Sequence, residues 1–455
     1  MSPRKLVILT AVVLVLFGFI ILFERKMPTT ADRERKGDLV WEIPESRIES
    51  VRLENGNSQV DLQRSNSTWR VVKPEAYPAD ATAVSDLIGQ LASLKRAAPD
   101  AQGAKPEEYG LTAASPKVTL VWKEEGNDQK KLSRTLSIGK EMSGTDSTAA
   151  QSGQEIVFIP TSVATAARKG ADDYKSKDVF TTSGFDAARL EIERGRGRLN
   201  LSKKNGVWWI NQPISDIADG DAVQRIVSDL TGLKALNFLS AAERQDLASL
   251  GLAPPLYRVT LADTKSAATT VEFGATRSDG NSIYARREGQ VFTVSSSISE
   301  ELSKEAVGFR DAHLVHVDRP GVTGLAGQFG SQTYSLEHSA DGWKSGGKAV
   351  EDAPADALLT SILDLKSRSF VEVEKSPKGG PAATVTIKLP PADWTIQLSP
   401  TRAEAQATVS GRPGAFTLAE NPIASLQASF EKAVTAVKPT PVPTAVPTKA
   451  AGAKK

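Results

Sequence analysis

Trp69–Asp80 reads WRVVKPEAYPAD, and Trp208–Asp219 reads WWINQPISDIAD. Each stretch opens on Trp, places Pro five residues later and closes on Ala-Asp. Trp69 and Trp208, Pro74 and Pro213, and Asp80 and Asp219 are all 139 residues apart. The same spacing separates Leu91 from Leu230, Leu94 from Leu233 and Lys95 from Lys234. Coincidences this many at one offset mark a duplicated unit, and a period this long belongs to tandem domains, since solenoid repeats run about 20–50 residues. Beyond Lys95 the register slips: YGL at Tyr109–Leu111 meets LGL at Leu250–Leu252, KVTLVW meets RVTLAD, and VFIP at Val157 answers VFTV at Val291. A third, eroded copy follows, with Trp343 in DGWKSGG, LDLKSRSF ending at Phe370 against TGLKALNF ending at Phe238, then VTIKL and GAFTL. It lacks the Gly-Leu landmark.

The unit has a physical reading. IESVRLENGNSQVDLQRSNSTWRVVKP, Ile48–Pro74, alternates apolar and polar residues around Asn-Gly, the pattern of half-buried antiparallel strands joined by tight turns. Trp69 falls on the third strand, where an indole covers one end of the core. Pro74 ends that strand because it has no ladder donor. Asp80 precedes a segment whose Val84, Leu87, Leu91 and Leu94 recur at helical spacing, so it is a candidate N-cap. A Gly-Leu turn, further strands (KVTLVWKE, RTLSIG, EIVFIP) and a short helix in TSVATAARKGADDY complete the unit. The expected fold class is therefore α+β: three tandem repeats of antiparallel strands with packed helices, at 46–182, 183–318 and, degenerate, 319–436. A linker at 27–45 precedes them. The Pro/Ala-rich tail at 437–455, KPTPVPTAVPTKAAGAKK at its end, has no apolar pattern and reads as disordered.

A chain of 455 residues agrees with about three cores at roughly 150 residues per domain. Hydrophobic content of 40% and charged content of 24% are globular values, and a net charge of +2 carries no nucleic-acid footprint. There is no cysteine, which excludes disulfides, thiolate zinc sites, iron–sulfur clusters and cysteine nucleophiles. The three histidines, His313, His316 and His338, fall in the last third, so histidine chemistry could be built only there.

At the N-terminus, Leu6–Phe23 gives eighteen uncharged, mostly apolar residues between Arg4-Lys5 and Glu24-Arg25-Lys26. At about 1.5 Å per residue this just spans a hydrocarbon core, and residues 1–26 are expected to form a single-pass membrane anchor held by lipid. A cleaved signal peptide is the competing reading, but FERKMPTT offers no small-x-small site. Flanking Lys/Arg number two before the span and five after it, which by itself places the body in the cytoplasm. Long domains translocate largely regardless of charge, and the expectation, which rests in part on a family resemblance, is an extracytoplasmic, periplasmic body on the inner membrane.

The anchor, the strand–Trp–Pro–Ala-Asp–helix run and the EEYGL turn at Glu107–Leu111 resemble the bacterial family described as a domain of unknown function, number 4340. The resemblance covers most of the first two units and is fainter in the third. It implies a membrane-anchored extracytoplasmic protein, often encoded beside gliding-motility-type ABC-transporter components, and it carries over no catalytic residue.

The motifs that could carry chemistry are few. GWKSGGK, Gly342–Lys348, matches a phosphate-cradling loop, but Ala349 stands where magnesium needs a hydroxyl and the loop lies at the repeat Trp hairpin. RGRGRLN, Arg194–Asn200, reads as a basic hairpin tip, with an anionic-lipid or polymer contact as the alternative. In DAHLVHVD, Asp311–Asp318, His313 and His316 would share a helical face, but Leu and Val between them favour a strand, which turns them apart. On that strand Asp311 and His313 share a face, as an acid-oriented base would require. Glu107-Glu108 and Asp172-Asp173 read as solvated loop pairs. No catalytic, cofactor-binding or metal-ligating residue is assigned, and no cofactor is expected.

Duplicated fold residues without a duplicated reactive set point to a non-catalytic accessory or scaffold arm, and the resemblance implies an ABC-type transporter or envelope complex as its partner. The alternative is a receptor for a lipid, glycan or peptide, with a cavity at a unit boundary lined by aromatics such as Trp122 or Trp394. A third, an envelope hydrolase, would converge titratable groups on His313.

Overall fold

The computed structural model describes residues 38–98, 105–372, 379–401 and 404–439. The expected anchor at Leu6–Phe23 and most of the tail lie outside the described residues. Among those described, no helix is long and apolar enough to cross a membrane. The chain divides into two compact units, residues 1–177 with 288–290, and residues 178–287 with 291–455.

The first unit is built on β1 (Ile48–Asn55), β2 (Ser58–Ser65), β3 (Thr68–Lys73), β4 (Tyr77–Pro78), α1 (Ala81–Ala92), β5 (Lys117–Glu124), β6 (Asn127–Glu141), β7 (Ser147–Ser152) and β8 (Glu155–Pro160). The short helices α2 (Thr161–Ala167) and α3 (Ala171–Tyr174) close it. The sheet runs β4-β3-β2-β1-β5-β6-β7-β8, all antiparallel where paired, so two four-stranded meanders meet at β1 and β5. Alternate residues (Val51 and Leu53, Val60 and Leu62, Val118 and Leu120, Leu136 and Ile138) point to one face and join a single buried cluster. Val84, Leu87 and Leu91 of α1 and Leu94 beyond it belong to the same cluster, each contributing about 1.5–3 kcal/mol by leaving water.

The second unit repeats the plan twice. Its first sheet has β9 (Ala187–Arg194), β10 (Gly197–Lys204), β11 (Val207–Gln212), β12 (Asp216–Ile217), β13 (Asn237–Phe238), β14 (Tyr257–Asp263), β15 (Ala268–Thr276), β16 (Ser282–Arg287) and β17 (Gln290–Ser295), with helices α4 (Gly220–Gly232) and α5 (Ile298–Ser303). The order is β12-β11-β10-β9-β14-β15-β16-β17-β13. Its second sheet has β18 (Gly324–Phe329), β19 (Gln332–Ser339), β20 (Gly342–Ser345), β21 (Lys348–Ala349), β22 (Ser367–Val371), β23 (Ala383–Lys388), β24 (Trp394–Pro400), β25 (Ala405–Val409) and β26 (Ala415–Leu418), with α6 (Asp352–Leu363) and α7 (Ile423–Thr435). The order, β21-β20-β19-β18-β23-β24-β25-β26-β22, is the same topology. The fold is mixed α+β with three mostly antiparallel sheets.

The duplicated residues have structural work. Trp69 is half-buried against its core, while Trp208 and Trp343 are buried in theirs. β3 and β11 stop immediately before Pro74 and Pro213. Asp80 caps α1 by accepting from Ala83 N–H at 2.9 Å, and Asp219 caps α4 by accepting from Asp221 and Ala222 N–H at 2.9 and 3.1 Å. The third copy has Glu351 at this place with no side-chain cap.

The Gly-Leu turn is explained by two glycines. Gly110 and Gly251 adopt φ of +70° and +67°, left-handed values that side chains disfavour. Opposite them, a Cβ on Gly139 of β6 would sit 2.4 Å from the Tyr109 carbonyl oxygen, and one on Gly274 of β15 would sit 2.2 Å from that of Leu250. The turn therefore docks backbone to strand where only hydrogen fits.

The repeated Leu-Lys closes another loop. The carbonyls of Leu94, Leu233 and Leu365 accept N–H bonds from Val40, Val179 and Leu314 at 2.7, 3.2 and 3.0 Å. DAHLVHVD is thus the leading segment of the third repeat, and the strand expected there is not formed. Among the described residues it forms an isolated bridge, His313 to Lys366, and scattered backbone bonds rather than a ladder, and Leu314 and Val315 are buried in the third core.

Candidate functional site

At the end of each repeat the chain returns to the segment before the helix. Asp80, Asp219 and Glu351 donate their N–H to the carbonyls of Tyr174, Phe309 and Ala436 at 2.8, 2.8 and 2.7 Å. The following residues bridge Ala79 to Lys175, Ala218 to Arg310 and Val350 to Val437. Two of the three closing residues are cations, and both are buried. Lys175 lies 2.8 Å from Asp172 on the preceding turn of chain. Arg310 has a different partner, Asp216.

Asp216 occupies the place of Tyr77 in the duplicated frame, 139 residues on. Tyr77 pairs with Val71 on β3, and Asp216 pairs with Ile210 on β11. A carboxylate thus stands at a core aromatic position, with its side chain 0% exposed. Burying an ion alone costs several kcal/mol by the rough scale for real proteins, so it must be compensated. Arg310 Nε donates to Asp216 Oδ2 at 2.5 Å, Arg412 Nε donates to Oδ1 at 2.7 Å and Arg412 Nη2 to Oδ2 at 3.2 Å. Ile217 N–H adds a fourth bond at 2.9 Å.

Arg412, 1% exposed, comes from the β25–β26 turn of the third repeat. Its remaining N–H groups donate to the carbonyls of Asp311 at 2.8 Å, Leu314 at 3.2 Å and His313. Arg310, 6% exposed, donates Nη2 to the Pro413 carbonyl at 2.7 Å. Its guanidinium carbon lies 4.3 Å from the Phe370 ring centre and 5.1 Å from that of Phe416, over which Arg412 also sits at 4.6 Å. Burial lowers the Arg310 guanidinium below its ordinary value while Asp216 opposes the shift. It stays charged at any working pH. The cluster ties the second and third repeats together and holds two positive charges against one negative.

Beside it lies the histidine pair. Asp311 Oδ1 accepts from His313 N–H at 3.0 Å and faces His313 Nδ1 at 2.9 Å, while His316 Nδ1 stands 3.7 Å from Oδ2, an ion-pair rather than a hydrogen-bond distance. Burial pushes the Asp311 carboxyl up, but His316 and the two His313 contacts outweigh it and hold it at about 2. His316 is raised by Asp311, with burial opposing. Asp311 and His313 are therefore brought together by a tight turn rather than along a strand. His316 is brought to the same carboxylate instead of being turned away. Neither ring bonds a hydroxyl among the described residues, and no group of three metal-ligating side chains occurs among them.

An open groove of about 560 Å³ borders the cluster, lined by Ile214, Ala306, Val307, Phe370, Val371 and Arg310, with Glu305, Glu372, Pro413 and Gly414 at its edges. The receptor alternative calls for a boundary cavity lined by aromatics outside the repeat pattern, whereas the aromatic of this groove is Phe370, the repeat-pattern residue matching Phe238. Trp122 and Trp394 instead pack against the cores of the first and third repeats. GWKSGGK forms the β20–β21 hairpin and no phosphate loop. RGRGRLN is the β9–β10 turn. Its Arg194 donates to the Ser303 carbonyl at 2.7 Å and Arg198 lies 3.1 Å from Glu191, so much of its charge is spent internally. His338 stacks on Trp343 at 4.4 Å, a packing role.

Asp216, Arg310 and Arg412 were not singled out by sequence. The available signal was the offset itself, which sets an acid against Tyr77. No spacing rule connects that acid to arginines 94 and 196 residues away.

The family profile for a domain of unknown function (DUF4340) matches residues 69–239 and again 208–383. No curated protein matches the chain. Among solved structures, the chain is similar to a DNA polymerase sliding clamp from Pseudomonas aeruginosa, at 8% identity over 85% of this chain and 95% of that one, with a TM-score of 0.14. It is likewise similar to the DNA polymerase III subunit beta from Pseudomonas aeruginosa, at 9% identity, the same coverage and a TM-score of 0.17. Scores this low carry no argument about fold or function.

Proposed function

We propose, for a chain that belongs to the family described as a domain of unknown function (DUF4340), a role as a non-catalytic, membrane-anchored scaffold arm that works by contact with an ABC-type transporter or another envelope complex. The observation that carries this reading is the use made of the repeated residues. The Asp caps, the Gly-Leu turns and the closing backbone bonds all build the fold, and the one dense polar cluster fastens two repeats together. In this reading the apolar span at Leu6–Phe23 anchors the chain and the body lies outside the cytoplasm.

The test is a crosslinking pull-down from membranes, comparing the full chain with one lacking Met1–Lys26 and exported on a cleavable signal. Transporter or envelope subunits recovered with the anchored chain support the scaffold; recovery of no specific protein in either form overturns it. A second reading, a ligand receptor, is favoured by the groove at Arg310 and Phe370.

A further inference from the structure

We infer that the groove between the second and third repeats binds a monocarboxylate at the end of an apolar chain, with Arg310 as the residue that receives the carboxylate. The inference deepens the receptor reading and is independent of the scaffold. Arg310 is fixed on three sides, by Asp216, by the Pro413 carbonyl and by the Phe370 face. Its Nη1 has no hydrogen-bond partner among the described residues, and the side chain lines the groove. Arg412, in contrast, has all five N–H groups engaged. The unmet donors therefore lie at one edge of one guanidinium that the cluster holds in place, preorganised for an oxyanion.

The rest of the groove sets the class. Ile214, Ala306, Val307, Phe370 and Val371 supply an apolar wall, and Val307 is 50% exposed. Arg310 is the one cation among the residues that line the groove, which disfavours phosphate monoesters and dicarboxylates. A volume of about 560 Å³ suits a small ligand rather than a folded partner.

Calorimetry on the full chain tests this with two pairs of probes, octanoate against octanamide and the tripeptide Ala-Val-Leu against its C-terminal amide. In at least one pair the acid is expected to bind about tenfold or more tightly than the amide, the scale of a charge-assisted hydrogen bond; the pair that responds identifies a fatty acid or a peptide end. Val307→Glu, which adds a carboxylate to the wall without touching the cluster, is expected to weaken the acid by a similar factor. Thermal unfolding of the variant checks that it is folded. Equal binding of acid and amide, or unchanged binding by V307E, overturns the carboxylate inference and leaves the receptor reading standing. Failure of all four probes to bind likewise overturns the inference.

Discussion

Replacing Asp216 by asparagine removes the one negative charge shared by Arg310 and Arg412 while keeping the side chain's shape. The carboxylate accepts from three guanidinium N–H groups and one backbone N–H, at 2.5 to 3.2 Å, in a site with 0% exposure. Asparagine offers one acceptor oxygen and turns an N–H pair toward a donor. Two arginine charges are then left buried beside each other. Removing one partner of a buried ion cluster costs about 3–5 kcal/mol. For a body of this size about 2–4 °C of melting temperature accompanies each kcal/mol, so D216N should lower the melting of the second unit by roughly 6–20 °C. Differential scanning calorimetry of the full chain reads the shift, and hydrogen exchange locates it to Asp311–Leu314 and the β25–β26 turn. A loss below about 1 kcal/mol, the size of an exposed pair, would refute the claim that the cluster locks the two repeats.

Other predictions follow the same physics. Asp80→Ala and Asp219→Ala should each cost about 1 kcal/mol in denaturant unfolding, whereas Glu351→Ala, which loses no cap bond, should be near neutral. Gly139→Ala and Gly274→Ala should each destabilise by about 1–3 kcal/mol, because the new Cβ meets a backbone oxygen rather than a side chain that could move aside. The Asp311–His316 contact is pH-dependent with a definite sign. The lowered Asp311 contributes stability above its unfolded value, which is lost as pH falls toward about 2. The raised His316 contributes fully below about pH 6.5, and that contribution is lost as pH rises through its folded value. The melting difference between the parent and Asp311→Asn should therefore be largest between about pH 4 and 6.5 and shrink above it; a difference that grows toward pH 8 would contradict the assignment.

What the sequence determined by itself was whatever repeats or alternates locally. Trp69 and Trp208, Pro74 and Pro213, and the capping Asp80 and Asp219 were legible because a strand, a stop and a cap each need a residue type at a fixed short spacing. The α+β class followed from that. The third copy was harder to read because its cap is absent and no Gly-Leu turn survives in its sequence. The tertiary structure alone decided three things. It turned Asp311–Asp318 from an expected strand into the irregular leading segment of a repeat, with Leu314 and Val315 buried in the third core. It paired the glycine turns with strand glycines about 25 residues away. It also assembled Asp216, Arg310 and Arg412, which no local pattern links. A buried charge is compensated by whatever the fold brings within 3 Å, and that depends on how the second and third repeats pack, a long-range fact that propensity and periodicity do not encode.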